Sequence, residues 1–200
     1  GPSEVLVIAD GSSNPAWIAA DLLSQAEHDK MASAVLVTDS PELAQAVSRE
    51  IERQLQTLER EEIARASIEE NGKIIVARSL QEAVAVANRI APEHLELSVD
   101  APFDYLGQIE NAGSIFLGRY NPEPMGDYFA GPNHTLPTMG TAHFYSPLSV
   151  DDFIKKSQFS YYTQEALERD YRKVSRFARE EGLTAHARAV EIRFEQGETL

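Results

Sequence analysis

The sequence predicts an α/β fold: an open, mostly parallel sheet with helices on both faces, followed by a C-terminal helical appendage. Short apolar runs rich in β-branched residues alternate with longer segments whose apolar residues recur at helical spacing. Strands that alternate with helices in this way build parallel sheets. We expect the α/β domain to span residues 1–147 and the appendage to span residues 148–200.

The first part of the chain contains two strand-helix units. Val5–Ala9 is apolar throughout and too short for a helix, which is typical of a strand buried on both faces. Pro15 suits a first helical turn, and we expect a helix from there to about His28. Residues 35–37 are predicted as a second strand, and residues 41–58 as a second helix because their apolar positions repeat at helical spacing.

The same alternation continues to residue 117. Pro92 stops the amphipathic helix that precedes it, because proline breaks a helix interior. The predicted elements are, in chain order, a charged helix over 59–71, a strand at 74–76, a helix over 80–90, and strands at 95–99 and 115–117.

Residues 121–141 break the pattern, since Pro, Gly, Asn and His accumulate there without a periodic apolar face. A long irregular loop in a compact domain is more often functional than idle. In the appendage we expect a short helix after Ser149, a strand near 159–162, and helices over about 164–181 and 184–195.

Composition argues against several classes of protein. A formal charge of −14, from 18 Lys+Arg and 32 Asp+Glu, disfavours binding to nucleic acid or anionic lipid. No stretch approaches the roughly 20 apolar residues of a membrane-spanning helix, and the start does not resemble a signal sequence, so we expect no membrane partner and a cytoplasmic location. Because Cys is absent, a metal would be bound by imidazole, carboxylate or amide groups, which suits zinc or manganese and its neighbours. The start at Gly1 suggests a fragment of a longer protein.

Two residue pairs are candidates for a functional site. Gln25 and His28 lie three apart on a predicted helix, so both could bind one metal, although a histidine at a helix end is also a common capping residue. Glu93 and His94 stand at the entry to a predicted strand, where a carboxylate base and an imidazole proton shuttle could reach one cleft. An exposed pair that follows a helix is the alternative.

Further candidates lie downstream. Asp127 and His134 lie in the irregular loop, where Asp127 could bind a metal or cap a turn. Glu181 and His186 flank a Gly-Leu-Thr break between two helices, and His186 could instead be a packed helix residue. His143 is expected to be a surface residue or to lie behind the site. No dinucleotide-binding, serine-hydrolase or metalloprotease motif occurs, so the residues alone indicate a metal-competent α/β protein.

Seven segments, taken in order, resemble histidinol dehydrogenase across nearly the whole chain: GPSEVLVIAD, DLLSQAEHD, IAPEHLE, NAGSIFLG, MGDYFAGPNHTLPTMGTAHF, LSVDDF and EGLTAHARAVEIR. The resemblance implies an incomplete Rossmann-like domain, zinc as the metal, and oxidation of L-histidinol through L-histidinal to L-histidine with two NAD. Family members are longer, and most of their coenzyme contacts precede the GPSE segment. The resemblance therefore implies that most of the NAD-binding segment is missing from this chain.

The resemblance also implies roles for individual residues. Glu93 and His94 match the catalytic pair. The matching zinc ligands, which also contact the substrate, are Gln25, His28, Asp127 and His186. The further substrate contacts are Ser3, His94, His134 and Glu181. The family forms a homodimer, which implies that Glu181 and His186 serve the partner's site, whereas Met139 and His143 depart from the usual Ser and Arg and alter loop contacts but no zinc ligand.

Two alternatives to a complete dehydrogenase remain at this stage. The first is a truncated, non-catalytic fragment that binds zinc and imidazole ligands but not NAD. The second is a metal-dependent hydrolase in which Glu93 activates a zinc-bound water, although no sequence feature specifically favours it.

Overall fold

Five parallel strands form one open sheet in the computed structural model, which describes residues 2–195. The strands are β1 (Glu4–Ala9), β2 (Ser33–Thr38), β3 (Lys73–Val76), β4 (His94–Ser98) and β5 (Ser114–Leu117). Their order across the sheet is β3-β2-β1-β4-β5, so β1 pairs with both β2 and β4. The predicted α/β class with a parallel sheet is confirmed.

Helices cover both faces of this sheet. They are α1 (Pro15–Ala26), α2 (Pro41–Leu55), α3 (Glu61–Asn71), α4 (Leu80–Ile90), α5 (Phe103–Leu106) and α6 (Glu123–Met125). Val5 and Val7 of β1 share a core with α1, α2 and α3, whereas Leu6 and Ile8 share the opposite core with α4. Because alternate residues of a strand point to opposite faces, β1 must be apolar on both faces from Val5 to Ala9, as its sequence is.

Side-chain caps explain where three helices begin. The side chains of Asn14, Ser40 and Ser79 accept hydrogen bonds from free backbone N–H groups in the first turns of α1, α2 and α4. The predicted bounds of α4 match the structure, whereas α1 ends at Ala26 rather than near His28. His28 therefore lies in a turn beyond the helix, and the prediction that it shares a helical face with Gln25 is wrong.

The irregular segment after residue 120 contains short helical turns. The three residues of α6 lead directly into one π-helical turn over Gly126–Ala130. The short helix expected after Ser149 is a 3₁₀ turn over Val150–Phe153, which Ser149 caps. The first compact unit of the chain ends at Ile154.

The C-terminal unit begins at Lys155 and contains two helices, α7 (Gln164–Glu180) and α8 (Thr184–Glu191). Helix α8 is shorter than expected because a 3₁₀ turn replaces it at Ile192. The strand predicted near 159–162 is wrong, since those residues are irregular and exposed. No helix in residues 2–195 is long and apolar enough to cross a membrane.

Candidate metal and catalytic site

A row of buried polar residues on β4 forms the base of the candidate site. His94, Glu96 and Ser98 alternate with Leu95 and Leu97, and all five are buried. The two leucines belong to the core beneath α4, so the three polar side chains face the opposite side, where α1 packs. Polar groups removed from water in this way require partners within the protein.

Helix α1 supplies polar side chains that match this row. Gln25 Nε2 lies 3.4 Å from His94 Nδ1, and Asp21, one helical turn earlier, is hydrogen-bonded to Glu96. The connection from β1 through α1 to parallel β2 brings the end of the helix back to the amino-terminal edge of the sheet, which places Gln25 over the start of β4. The candidate site therefore lies at the amino ends of the strands. Open α/β sheets commonly bind ligands at the other side, at the carboxyl ends.

His94 has one satisfied nitrogen and one without a hydrogen-bond partner. Its Nδ1 lies 2.9 Å from the backbone oxygen of Glu4 and is placed to donate a hydrogen bond to it. In a neutral imidazole this arrangement leaves a lone pair on Nε2. The Nε2 atom is buried without a hydrogen-bond partner, and so is Oε1 of Gln25. Two buried acceptors of this kind indicate a missing donor or cation.

Two carboxyl groups face the unpartnered nitrogen. Glu123 Oε1 lies 3.8 Å and Asp127 Oδ1 3.7 Å from His94 Nε2, and ligand atoms of these three residues all lie within 4.8 Å of one another. Burial, and then Asp127, raise the pKa of Glu123 to about 8. A cation beside the two carboxylates would stabilise their charged forms, and a hydroxyl donor would give Nε2 a hydrogen-bond partner. The nitrogen and oxygen donors fit zinc, which binds imidazole and carboxylate readily.

Glu123 was not predicted from the sequence. The available signal was its position four residues before Asp127, because residues at that spacing share a face of a helical segment. The irregular composition of the loop hid this spacing, since no helix was expected there.

Glu93 approaches the same imidazole from the other side. Its Oε2 lies 3.5 Å from His94 Nδ1 and accepts a hydrogen bond of 2.9 Å from the backbone N–H of Glu4. The carboxylate of Glu4 in turn accepts the N–H groups of Glu93 at 3.2 Å and Met139 at 2.8 Å. Burial raises the pKa of the Glu93 carboxyl. Adjacent residues reach one location because Glu93 precedes the regular strand.

The remaining predicted residues of the first unit lie nearer the surface. Ser3 is half-buried, and its backbone oxygen accepts a hydrogen bond of 2.9 Å from the N–H of Ser33. His28 is exposed and lines a shallow cavity together with Ser3. His134 is exposed in the irregular segment, and His143 is exposed at the end of a 3₁₀ turn. The structure thus brings Gln25, Glu93, His94 and Asp127 together, with Ser3 and His28 as neighbours of each other.

Glu181 and His186 lie in the C-terminal unit. Glu181 follows α7, His186 is in the first turn of α8, and both are exposed. They line one cavity, whose other walls are mostly apolar residues of the two helices: Val174, Phe177, Ala178, Ala185, Ala189 and Val190. The break between the helices, with Gly182 at a φ of 75°, brings the carboxylate and the imidazole to the same groove.

Comparisons with known proteins agree along the whole chain. The family model for histidinol dehydrogenase matches residues 1–194. The histidinol dehydrogenase of Bacillus cereus is 59% identical over 196 residues, which are 98% of this chain and 46% of the relative. That of Geobacter metallireducens is 60% identical over 193 residues, which are 96% of this chain and 44% of the relative.

A solved structure gives the same result. The crystal structure of histidinol dehydrogenase from Elizabethkingia anophelis superposes with a TM-score of 0.82 at 42% sequence identity, covering 98% of this chain and 45% of that chain. The chain therefore spans less than half the length of the relatives it matches. It belongs to the histidinol dehydrogenase family.

Proposed function

We propose that this chain carries the zinc and substrate site of a histidinol dehydrogenase, which oxidises L-histidinol through L-histidinal to L-histidine with two NAD in the last steps of histidine biosynthesis. The observation that carries the proposal is the buried His94, whose unpartnered Nε2 faces Asp127 while its Nδ1 lies 3.4 Å from Gln25 Nε2. Membership of the histidinol dehydrogenase family supports histidinol as the substrate and its oxidation as the reaction.

Four residues would hold the zinc: Gln25, His28, Asp127 and His186. The unpartnered Oε1 of Gln25 and the absence of Cys support an all nitrogen and oxygen set. A metal held by these residues would supply Lewis-acid binding and orientation of histidinol at the site. His186 and Glu181 would come from the second copy in a homodimer, and Ser3, His134 and Glu181 would contact the substrate.

The catalytic pair would divide the proton transfers. As the carbinol carbon gives a hydride to NAD, His94 would take the hydroxyl proton, for which a neutral imidazole with a free lone pair is required. Glu93 would then remove a proton from the water that adds to the aldehyde. The resulting hydrate would give the second hydride to a second NAD while its hydroxyl proton passes to His94, which has by then released the first proton to solvent. A carboxyl whose pKa burial raises is suited to that role.

The first test compares this chain with a form extended at its N-terminus by the corresponding segment of the Bacillus cereus relative. We expect zinc-dependent reduction of NAD by histidinol in the extended form, and zinc binding in both. Zinc and histidinol binding without NAD reduction in either form would favour the alternative of a non-catalytic binding fragment. No zinc binding in either form would contradict the proposal.

The second test addresses the ligands. We expect H28A and H186A each to abolish stoichiometric zinc, measured by metal analysis after gel filtration, because each would remove one donor from the metal. H143A is the matched control, since it removes an exposed imidazole outside the proposed set. Equal zinc retention in all three variants would overturn the ligand assignment.

A cytoplasmic location stays a prediction from the sequence.

A further inference from the structure

Glu96 is a buried carboxyl group to which the proposed reaction gives no role. It is 3% exposed in the middle of β4, two residues after His94 and on the same face of the strand. A carboxyl group in such a position costs considerable free energy unless other groups bind it. The groups that contact Glu96 therefore indicate which parts of the fold its side chain positions.

The first contact joins Glu96 to the segment that carries Asp127. Glu96 Oε1 accepts a buried hydrogen bond of 2.8 Å from the backbone N–H of Glu123. Glu123 is the first residue of α6, where a backbone N–H has no partner within the helix. Asp127 follows four residues later, so this bond fixes the start of the turn that places the Asp127 carboxylate 3.7 Å from His94 Nε2.

The second contact joins Glu96 to the helix that carries Gln25. The Asp21 carboxyl of α1 is hydrogen-bonded to the Glu96 carboxyl, and Gln25 lies one turn further along the same helix. The side chain of Glu96 thus connects the strand of His94, the helix of Gln25 and the turn of Asp127. These are three of the side chains that meet in the candidate site.

We propose that Glu96 is a positioning residue, which holds the Asp127 segment and helix α1 in register with His94 and so sets the geometry of the metal site. This inference rests on the proposed function for the identity of the metal, but not for the contacts themselves. Glu96 touches neither the substrate nor the metal in this proposal and acts only through its neighbours.

Three variants test the proposal on the whole chain. E96L removes both hydrogen bonds at nearly constant volume, E96D keeps a carboxyl but withdraws it from the Glu123 N–H, and E96Q keeps an oxygen acceptor for that N–H while its NH₂ group can donate to Asp21. S67A is the matched control, because it removes another buried hydrogen bond, from Ser67 Oγ to the Ala32 backbone oxygen at 2.8 Å, which involves neither β4 nor the turn of Asp127.

Two measurements are made on each variant: the dissociation constant for Zn²⁺ alone, by calorimetry, and the hydrogen-exchange rate of the Glu123 amide, by NMR of the metal-free chain. We expect E96L and E96D to weaken Zn²⁺ binding and accelerate exchange at Glu123, each by about tenfold or more, because the buried Glu123 N–H loses its acceptor. E96Q should stay close to the unchanged chain, and S67A should affect neither quantity. If E96L does not fold, E96D decides.

The proposal is overturned if E96D and E96L match S67A in both measurements. It is also overturned if E96Q is as impaired as E96D, since the retained acceptor should rescue the geometry. A chain that binds no Zn²⁺ at all would contradict the proposed function and not this inference, because the Glu123 exchange rate still distinguishes the variants.

Discussion

At the residue scale, Glu93 and His94 have environments that suit them to different proton transfers. The Glu4 backbone oxygen accepts from His94 Nδ1, which leaves Nε2 as the basic atom on the side of Asp127. The Glu93 carboxylate accepts the Glu4 N–H instead, while burial raises its pKa. The amino end of β4 therefore orients both groups for their proposed steps.

Replacing Glu93 by glutamine should separate the two oxidations. The amide can still accept the Glu4 N–H, so the site should keep its shape, but it cannot remove a proton from water. We expect E93Q to slow oxidation of histidinal about a hundredfold while it slows oxidation of histidinol far less. Single-turnover formation of NADH from each substrate measures the two steps, and an equal loss in both would contradict the role of Glu93.

The Asp21 carboxyl should make the stability of the metal-free chain depend on pH. Burial raises its pKa from 3.8 to about 6, so the folded state holds this proton more tightly than the unfolded state. The stabilisation is complete below the unfolded pKa and is lost as pH rises through about 6, by an amount on the order of 3 kcal/mol. We expect urea unfolding to show a lower free energy of unfolding at pH 7 than at pH 4.5.

The variant D21N should reduce this dependence, because an amide does not titrate while its oxygen can still accept a hydrogen bond from the Glu96 carboxyl; Glu96 and Glu123, whose pKa values burial also raises, account for what remains. D39N, which alters an exposed aspartate, is the control and should keep the full dependence. Identical pH profiles for D21N and D39N would show that the Asp21 proton does not link pH to folding.

Individual residues were predictable from the sequence only where their neighbours along the chain marked them. Glu93 and His94 follow Pro92 at the start of β4, and Asp127 follows Gly126 in the irregular loop, so nearby residues of the chain marked all three. Glu96 lies at an alternate position of a strand, a pattern that indicates a solvent-facing side chain unless a helix covers it. That α1 covers this face is a consequence of tertiary packing, so the burial of Glu96 could not be predicted locally.

At the element scale, the π-helical turn depends on the absence of a side chain at Gly126. A Cβ atom there would clash with the ring of Phe116, which is buried and lies 5.9 Å, centroid to centroid, from the His94 ring. Because a Cβ atom would push against this buried ring beside His94, the glycine lets the turn of Asp127 pack close to the imidazole. π-helical turns inside helical segments are frequent at functional sites.

We expect G126A to lower the free energy of unfolding by about 1–3 kcal/mol, since overpacking displaces a buried ring. It should also weaken zinc binding, because the turn that carries Asp127 must shift. G107A is the control: Gly107 follows a helix with a φ of −69°, and a Cβ atom there meets nothing within 4 Å. Urea unfolding and zinc titration measure both effects, and a G126A chain that behaves like G107A would refute the packing argument.

Elements were predictable where their own residues determine them. Helix α4 has a serine cap, an amphipathic repeat and a following Pro92, and its predicted bounds match. Residues 159–162 have the aromatic composition of a strand, but a strand forms only when another strand pairs with it, and the local sequence does not contain that information. Helix α1 ends before His28 because the chain leaves the helix at a turn that periodicity did not mark.

At the scale of the whole molecule, the two ends of the parallel strands differ in whether their polar groups have partners. At the carboxyl ends, Arg119 forms salt bridges of 2.7 Å to Asp10 and 2.6 Å to Asp100, which fill the point where the strand order reverses. At the amino ends, the polar row of β4 meets α1 with unpartnered buried atoms. The candidate site therefore lies at the amino ends of the strands, where Gln25 Oε1 and His94 Nε2 are buried without hydrogen-bond partners.

The last prediction tests the proposed homodimer. His28 belongs to the first unit and His186 to the C-terminal unit, so the two ligands of one zinc could come from different copies. If each zinc site takes His28 from one copy and His186 from the other, a dimer of H28A with H186A contains one intact site and one that lacks both ligands. A random mixture of the two variants should then bind zinc at about one quarter of its sites, although neither variant binds zinc alone.

The control for this experiment mixes H28A with D127A. Both altered ligands come from the first unit, so every site in that mixture lacks one donor and no zinc should return. The two mixtures are co-expressed with different tags, the mixed dimers are purified through both tags, and their metal content is measured. Mixed H28A and H186A dimers without zinc would contradict ligation across the dimer, whereas about one zinc for every two chains would establish that each subunit completes its partner's site.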